Sequence, residues 1–316
     1  MTLHSFEGRL PQGLLKAMPD FEARFTYPLG PNRSFHISHG EDPHRFFRAM
    51  GEAACFILEE GERVLGAAAV ALRSLLLPDG GESLVAYIGD LKILPEARGG
   101  RVLWRLAQAI DRWSRPRVNA AFGVVMEGTP RIPPAYSGRL GIPSFEELAR
   151  VKLFRLPSRA AATVGGMDRF VAEDSMGEAC YRRLSRSRYA SLGGVPSERS
   201  ILPPIWLVLP DQTACGRLED TRRAKKLFLD NGSELVSAHL ASFAFAEPRA
   251  GVKIIEAALE RTQAAGYPGL FFAVAWRDVE GLRKALGTID TLEASATIYG
   301  TGLSTEASWN LNSSEI

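Results

Sequence analysis

Residues 90–106 read DLKILPEARGGRVLWRL: a strand-like apolar run, a proline and an acid, two adjacent glycines, then an arginine-rich amphipathic segment. The stretch decides the fold because it changes hydrophobic period from strand to helix across a glycine turn. SLVAYIGDLKILPE reads as one long strand, ARGG as the turn and RVLWRLAQAIDRW as a helix. Within that helix Leu103, Leu106, Ile110 and Trp113 recur at helical spacing, and Arg101, Arg105 and Arg112 fall largely off the stripe. A helix that opens directly on a glycine turn leaves its first N–H groups unpaired and concentrates positive dipole there. Such an end holds anions, pyrophosphate above all. Gly99 and Gly100 let the backbone approach a phosphate closely, and Arg98, Arg101 and Arg105 add charge-assisted donors.

Outward from this segment the elements fall into order. Asp42-Pro43 has the signature of a helix start ahead of HRFFRAM. ACFILEE and RVLGAAAVALRSLLL read as a hairpin across Glu60-Gly61-Glu62. NAAFGVVME and ELARVKLFRL are further strands, separated by the loop TPRIPPAYSGRLGIP. Residues 1–33 read as an extension that packs on the first domain or frays. Residues 34–156 form that domain, PSRAAATVGG (157–166) is a linker, and 167–316 form a second domain. The second opens with DRFVAED as a strand and EACYRRLSRSRYASL as a helix. An internal repeat supports the division. Glu96, Arg98 and Gly100 recur in spacing as Glu247, Arg249 and Gly251, and each trio lies between a strand-like run and an amphipathic helix. In the second helix Val252, Ile255, Leu259 and Thr262 share a face.

The totals agree with two ordinary folded domains: 316 residues, 46% hydrophobic and 23% charged. A formal charge of +2 is too small for a nucleic-acid footprint. No stretch reaches the roughly 18 apolar residues of a membrane span. Cys55, Cys180 and Cys215 lie too far apart for a zinc site or a disulfide framework. The expectation is a soluble cytoplasmic protein with free thiols, no membrane or nucleic-acid partner, and an oligomeric state that the sequence leaves open.

The segment resembles the GNAT superfamily, the general N-acetyltransferases. There a strand of the form Leu-x-Val-x-Pro-Glu precedes an Arg/Gln-x-x-Gly-x-Gly/Ala turn that opens a helix. Leu91, Ile93, Pro95, Glu96, Arg98 and Gly99 occupy the corresponding places. Aligned from Arg98, Arg101 stands at the family's turn glycine and Leu103 at its second small residue. The resemblance implies an α/β fold of two tandem GNAT-like domains, each a mixed, mostly antiparallel twisted sheet flanked by helices. It implies acetyl-CoA as co-substrate and a primary amine of a small molecule or peptide as acceptor. Backbone groups of Leu91, Lys92, Ile93 and Leu94 would meet the pantetheine arm. Amides of Arg98, Gly99, Gly100, Arg101, Val102 and Leu103 would hold the pyrophosphate.

Direct attack of the amine on the thioester needs a base and an acid. Asp90 and Tyr87 are the candidate bases, expected on opposite faces of the strand, with Tyr87 sharing the face of Leu91. Tyr136, ahead of Leu140-Gly141-Ile142, is the candidate acid by resemblance. His36, His39 and His44 are read as solvated loop histidines, with no metal assigned, and the second copy as degenerate. Two other classes stay open: a non-catalytic acyl-CoA-binding protein, and a tandem transferase using an aminoacyl or long-chain acyl donor.

Overall fold

The hairpin forms as expected. Strands Ala53–Glu60 and Arg63–Leu76 pair antiparallel, with Glu60 opposite Arg63. The chain is a computed structural model that describes residues 1–29, 33–99, 101–139, 141–158 and 170–316. Gly100, Leu140 and most of the expected linker therefore lie outside the described residues. Arg63–Leu76 is buried on both faces for most of its length, which explains its nearly unbroken apolar run. Its other edge carries Glu82–Ile93, paired antiparallel.

Glu82–Ile93 then pairs in parallel with Ala121–Met126, but only at Ala86 with Ala121 and Tyr87 with Phe122. Beyond Tyr87 the two strands part. The helix between them, Arg101–Ser114, buries Val102, Leu106, Ala109 and Ile110. That face is rotated from the expected stripe: Leu106 and Ile110 belong to it, and Leu103 instead lines a cavity. The helix seats closely because Gly66 has no side chain. A Cβ there would lie 2.8 Å from Val102 Cγ1 and 3.1 Å from the Lys92 carbonyl oxygen. Gly66→Val is expected to lift the helix and cost roughly 1–3 kcal/mol by overpacking, read as a lower denaturant midpoint with an unchanged slope.

The second half repeats the unit. Ala238–Phe245 and Gly269–Ala275 are parallel, joined through helix Pro248–Ala264, which buries Ile254, Ile255, Ala258, Leu259 and Thr262. Each unit's first strand also holds a non-glycine residue at positive φ, Asp90 at 52° and Ser242 at 46°. The halves do not keep separate sheets. Leu292–Thr301 lies between Ala121–Met126 and Glu146–Pro157, and Glu146–Pro157 pairs onward with Gly269–Ala275. Each half thus lends a strand to the other, and a single 14-stranded, mostly antiparallel sheet runs through the described residues. The aromatic core around Phe122, Tyr189 and Trp309 draws on both.

Three expectations change in detail. Residues of the N-terminal extension are integral: Thr2–Phe6 forms the sheet edge against Ala53–Glu60, and Gln12–Glu22 is a helix. Thr26–Pro28 joins a small sheet with Ser34–Ser38 and, from the second half, Lys226–Leu229. EACYRRLSRSRYASL is not one helix: Asp174–Leu184 ends, Ser187 takes φ 64°, and Arg188–Leu192 becomes a strand. Tertiary pairing wins there, since Ala190 lies opposite Leu76 and Tyr189, Ala190 and Leu192 are buried. Of DRFVAED, the described strand is Val171–Ala172.

Candidate active site

Where Glu82–Ile93 and Ala121–Met126 diverge, a cavity of about 560 Å³ opens. It passes through the sheet. On the helix side it is lined by Ile88, Leu91, Leu103, Ala107 and Ile110; on the opposite side by Tyr27, Phe47, Tyr87, Asp90 and Lys225. A bulge marks the start of the gap. The pairing with Arg63–Leu76 slips between Ala67 and Ala69, so Asp90 and Leu91 together face Ala68, a β-bulge with Asp90 at left-handed φ. At the near end of the gap the strands still touch: a Cβ on Gly123 would lie 2.7 Å from the Ile88 carbonyl oxygen.

The bulge also corrects the expected alternation. Leu91 packs with Ile88 and Ile93 toward the helix, whereas Asp90 lies on the side of Tyr87 and Phe47. The two candidate bases therefore share a side. Tyr87 is buried, and its hydroxyl donates to the Glu315 carbonyl at 2.7 Å. Burial, with Glu315 and Asp90 nearby, pushes its phenol well above the ordinary value. It is placed to brace the strand rather than to accept a proton. Asp90 is part-buried, 3.3 Å from Lys92 Nζ and 3.2 Å from His39 Nε2. Burial alone would raise its carboxyl; the facing His39 and Lys92 charges overcome this and hold it below the ordinary range.

At the glycine turn, Gly99 takes φ 80° and nothing lies within 4 Å of where its Cβ would stand. The turn is open and conformationally restricted to glycine. Arg98 and Arg101 are exposed, Arg98 donating to the Ile93 carbonyl at 3.3 Å, while Arg105 is tied to the Met1 carbonyl at 2.8 Å. Glu96 is held by Arg24 and Arg63. Of the backbone set Leu91 to Leu94, Leu91 lines the cavity, Lys92 turns its side chain to Asp90, and the Leu94 amide is taken by the Leu65 carbonyl. Tyr136 follows a short turn, Pro133–Ala135, rather than a helix. It lines the cavity, and burial beside Tyr299 pushes its phenol up to about 12.

Two residues here, Lys225 and Glu22, carried no local signal, and a third, His39, was expected to be solvated. Lys225 enters the cavity from the second half, its Nζ 4.2 Å from the Phe46 ring centroid and donating to the Ile316 carbonyl. Burial pulls its ammonium down to about 7 against the raising effect of Asp90. Glu22 and His39 stand behind Asp90: His39 Nδ1 is 2.8 Å from Glu22 Oε1, and Glu22 Oε2 accepts from the His39 amide. The three histidines expected to be solvated in a loop are not: His39 and His44 are buried, and His36 is half-buried. His36 stacks on Phe228, and His44 Nε2 pairs with the Ala53 carbonyl. Glu22, His39 and Asp90 present ligand-type atoms within 4.8 Å of one another. Both Glu22 oxygens are already committed to His39, and the Lys92 ammonium stands at the anionic side, so the group reads as a balanced charge network.

The corresponding place in the second half is closed. Between Ala238–Phe245 and Gly269–Ala275 only about 10 Å³ remains, lined by Phe243, Phe245 and Arg188 among others. The Ser242 amide at the bulge donates to Asn312 Oδ1 at 2.7 Å. Gly251, the counterpart of Gly100, faces Phe245, which a Cβ would meet at 2.9 Å.

No protein-family model and no curated protein matches the chain. Solved structures do. Saccharomyces cerevisiae N-myristoyltransferase with bound myristoyl-CoA superposes with TM-score 0.60 at 10% identity, covering 99% of this chain and 82% of that one. A second structure of that enzyme with myristoyl-CoA gives 0.58 at 10% identity, over 94% and 82%. Together with the bulged strand, glycine turn, crossover helix and parted parallel strands, this likeness shows that the chain has the GNAT fold.

Proposed function

We propose that the chain is an acyl-CoA-dependent N-acyltransferase, with acetyl-CoA as donor and the primary amine of a small molecule or peptide as acceptor. The carrying observation is the contrast between halves: an opening of about 560 Å³ at the first parted strand pair and about 10 Å³ at the second. The first half, within residues 34–156, binds the donor; the second closes the acceptor side through Lys225 and is degenerate toward CoA. The donor's pyrophosphate meets the turn from Arg98 to Leu103, where Gly99 is open and Arg101 is exposed. Its pantetheine arm runs along Leu91, Ala107 and Ile110 into the gap. The acceptor comes from the side of Phe47, Asp90 and Lys225, so donor and acceptor meet through the sheet. Asp90 takes the proton that the amine sheds as nitrogen bonds to the carbonyl carbon. Tyr136 gives a proton to the thiolate as the C–S bond breaks.

A longer acyl donor is the second reading. It is favoured by the cavity's size and by its aromatic lining of Tyr27, Phe35, Phe46 and Phe47. A melting-temperature series from acetyl-CoA to myristoyl-CoA separates the two. At a hundredfold excess over Kd, a bound donor adds about 2.7 kcal/mol of stability. Arg101→Glu is expected to abolish the shift for every thioester, because it places a carboxylate at the diphosphate. An unchanged shift would move the nucleotide site elsewhere.

A further inference from the structure

Behind Asp90 the structure holds a chain of groups that the acyl-transfer reading alone does not use. Glu22, at the end of helix Gln12–Glu22, is 4% exposed and His39 5%. Glu22 accepts from the His39 amide and meets Nδ1 at 2.8 Å, which fixes the ring and places a proton on Nδ1. Nε2 then points at Asp90 Oδ2, 3.2 Å away, without a well-aligned hydrogen bond in the structure. With no proton between them, that contact sets a nitrogen lone pair against a carboxylate oxygen. With one proton it becomes a charge-assisted pair flanked by two acids. The contact is therefore built to receive a proton, and its carboxylate end lines the cavity.

We propose that His39, oriented by Glu22, stores the proton that Asp90 takes from the acceptor amine. The inference rests on the acyl-transfer reading. As the amine nitrogen bonds to the thioester carbon, its proton passes to Asp90 and on to His39 Nε2. The C–S bond then breaks, and the thiolate leaves as the thiol with a proton from the acid side. The stored proton returns to solvent after the amide departs. Asp90 is the catalytic residue; His39 and Glu22 are positioning residues. Loss of the proton from His39 takes the group Glu22, His39, Asp90 and Lys92 from net zero to −1 and frees Nε2 for the proton of the next amine, which enters in its neutral form. The other titratable groups facing the cluster are Tyr27, raised by burial to about 12, Tyr87, raised further by burial, buried Cys55, and Lys225 across the cavity.

The test combines kinetics with a readout that needs no acceptor. Using acetyl-CoA or the longer thioester that shifts melting, with a panel of primary amines, His39→Gln should lower kcat about 100-fold. Donor KM should stay within about twofold, and the limb of the pH profile that reports the base should be lost. Glu22→Gln, which keeps the packing, should lower kcat in the same direction by a smaller factor. Loss of that limb in Lys225→Met with its retention in His39→Gln would assign the proton to Lys225 and overturn the proposal. In ¹⁵N-histidine spectra of the full chain without acceptor, His39 should hold its proton on Nδ1 and leave Nε2 unprotonated against Asp90, and the Nε2 signal should move on Asp90→Asn. A resting ring already protonated on both nitrogens, or one indifferent to Asp90→Asn, also overturns it. A chain that shifts with no thioester loses the transferase reading, and this inference with it. A chain that shifts and turns over with His39→Gln unimpaired loses this inference alone.

Discussion

Arg199→Met should destabilise the protein by about 3–5 kcal/mol, the usual consequence of removing one partner from a buried ion pair. Arg199, Glu219, Glu315 and Arg73 are all essentially buried. Arg199 Nη2 lies 2.6 Å from Glu219 Oε1 and Nη1 3.3 Å from Glu315 Oε1; Arg73 Nη1 is 2.6 Å from Glu315 Oε2, and Arg217 Nε 3.2 Å from Glu219 Oε2. The network ties strand Arg63–Leu76 of the first half to the second half, and the Glu315 carbonyl it positions braces Tyr87 beside the bulge. Losing Arg199 leaves Glu219 and Glu315 sharing two guanidinium groups instead of three. Denaturant midpoints of Arg199→Met, Glu219→Gln and the double variant check this. The double should recover part of the loss, and a single-variant cost under about 1 kcal/mol would show that the network contributes little. The pH dependence has a definite sign. Burial would raise both glutamates, but the arginines hold both carboxyls below the ordinary value. Their stabilising contribution is then present above the unfolded value of about 4.3 and is lost as pH falls through the lower folded value. In Arg199→Met, where the depression is smaller, stability should fall less steeply on the acid side.

Residues 90–106 were legible because their signal is local: a period of two, a glycine pair and a period near 3.6 lie within one short stretch. The repeated trio at Glu247, Arg249 and Gly251 was legible for the same reason, and it marks a second strand–helix–strand unit. What alternation could not supply was the bulge. Asp90 in the left-handed region is imposed by the slip against Ala67–Ala69, and that single insertion moves Leu91 away from the side of Tyr87. Exchange of Leu292–Thr301 and Glu146–Pro157 between the halves is likewise a long-range choice, since either strand would read the same in its own half. Glu22, His39 and Lys225 reach the site through packing of segments far apart in sequence, from a helix, a strand end and a loop without motif spacing. The loop composition around His39 points to a solvated histidine, whereas long-range packing encloses its ring against Phe46 and Phe47.

Ala107→Trp should reduce kcat/KM by on the order of 1,000-fold and remove the donor's melting shift while leaving the fold intact, a loss equivalent to about 4 kcal/mol of binding. Ala107 is a partly exposed residue of helix Arg101–Ser114 and lines the cavity on the donor side. An indole there occupies the path to the gap between the parted strands and leaves the face seated on Gly66 untouched, because Val102 and Leu106 make that contact. The matched control is Arg249→Glu, exposed in the first turn of helix Pro248–Ala264. If the first half alone takes the donor, this charge reversal changes neither the melting shift nor turnover, whereas Arg101→Glu removes both. The asymmetry follows from the second opening: Phe245 lies against Gly251, the Asn312 side chain takes the Ser242 amide, and the cavity there measures about 10 Å³. A donor shift that survives Ala107→Trp and disappears with Arg249→Glu would reverse the assignment of the two halves. Survival in both variants would place the donor outside either crossover unit.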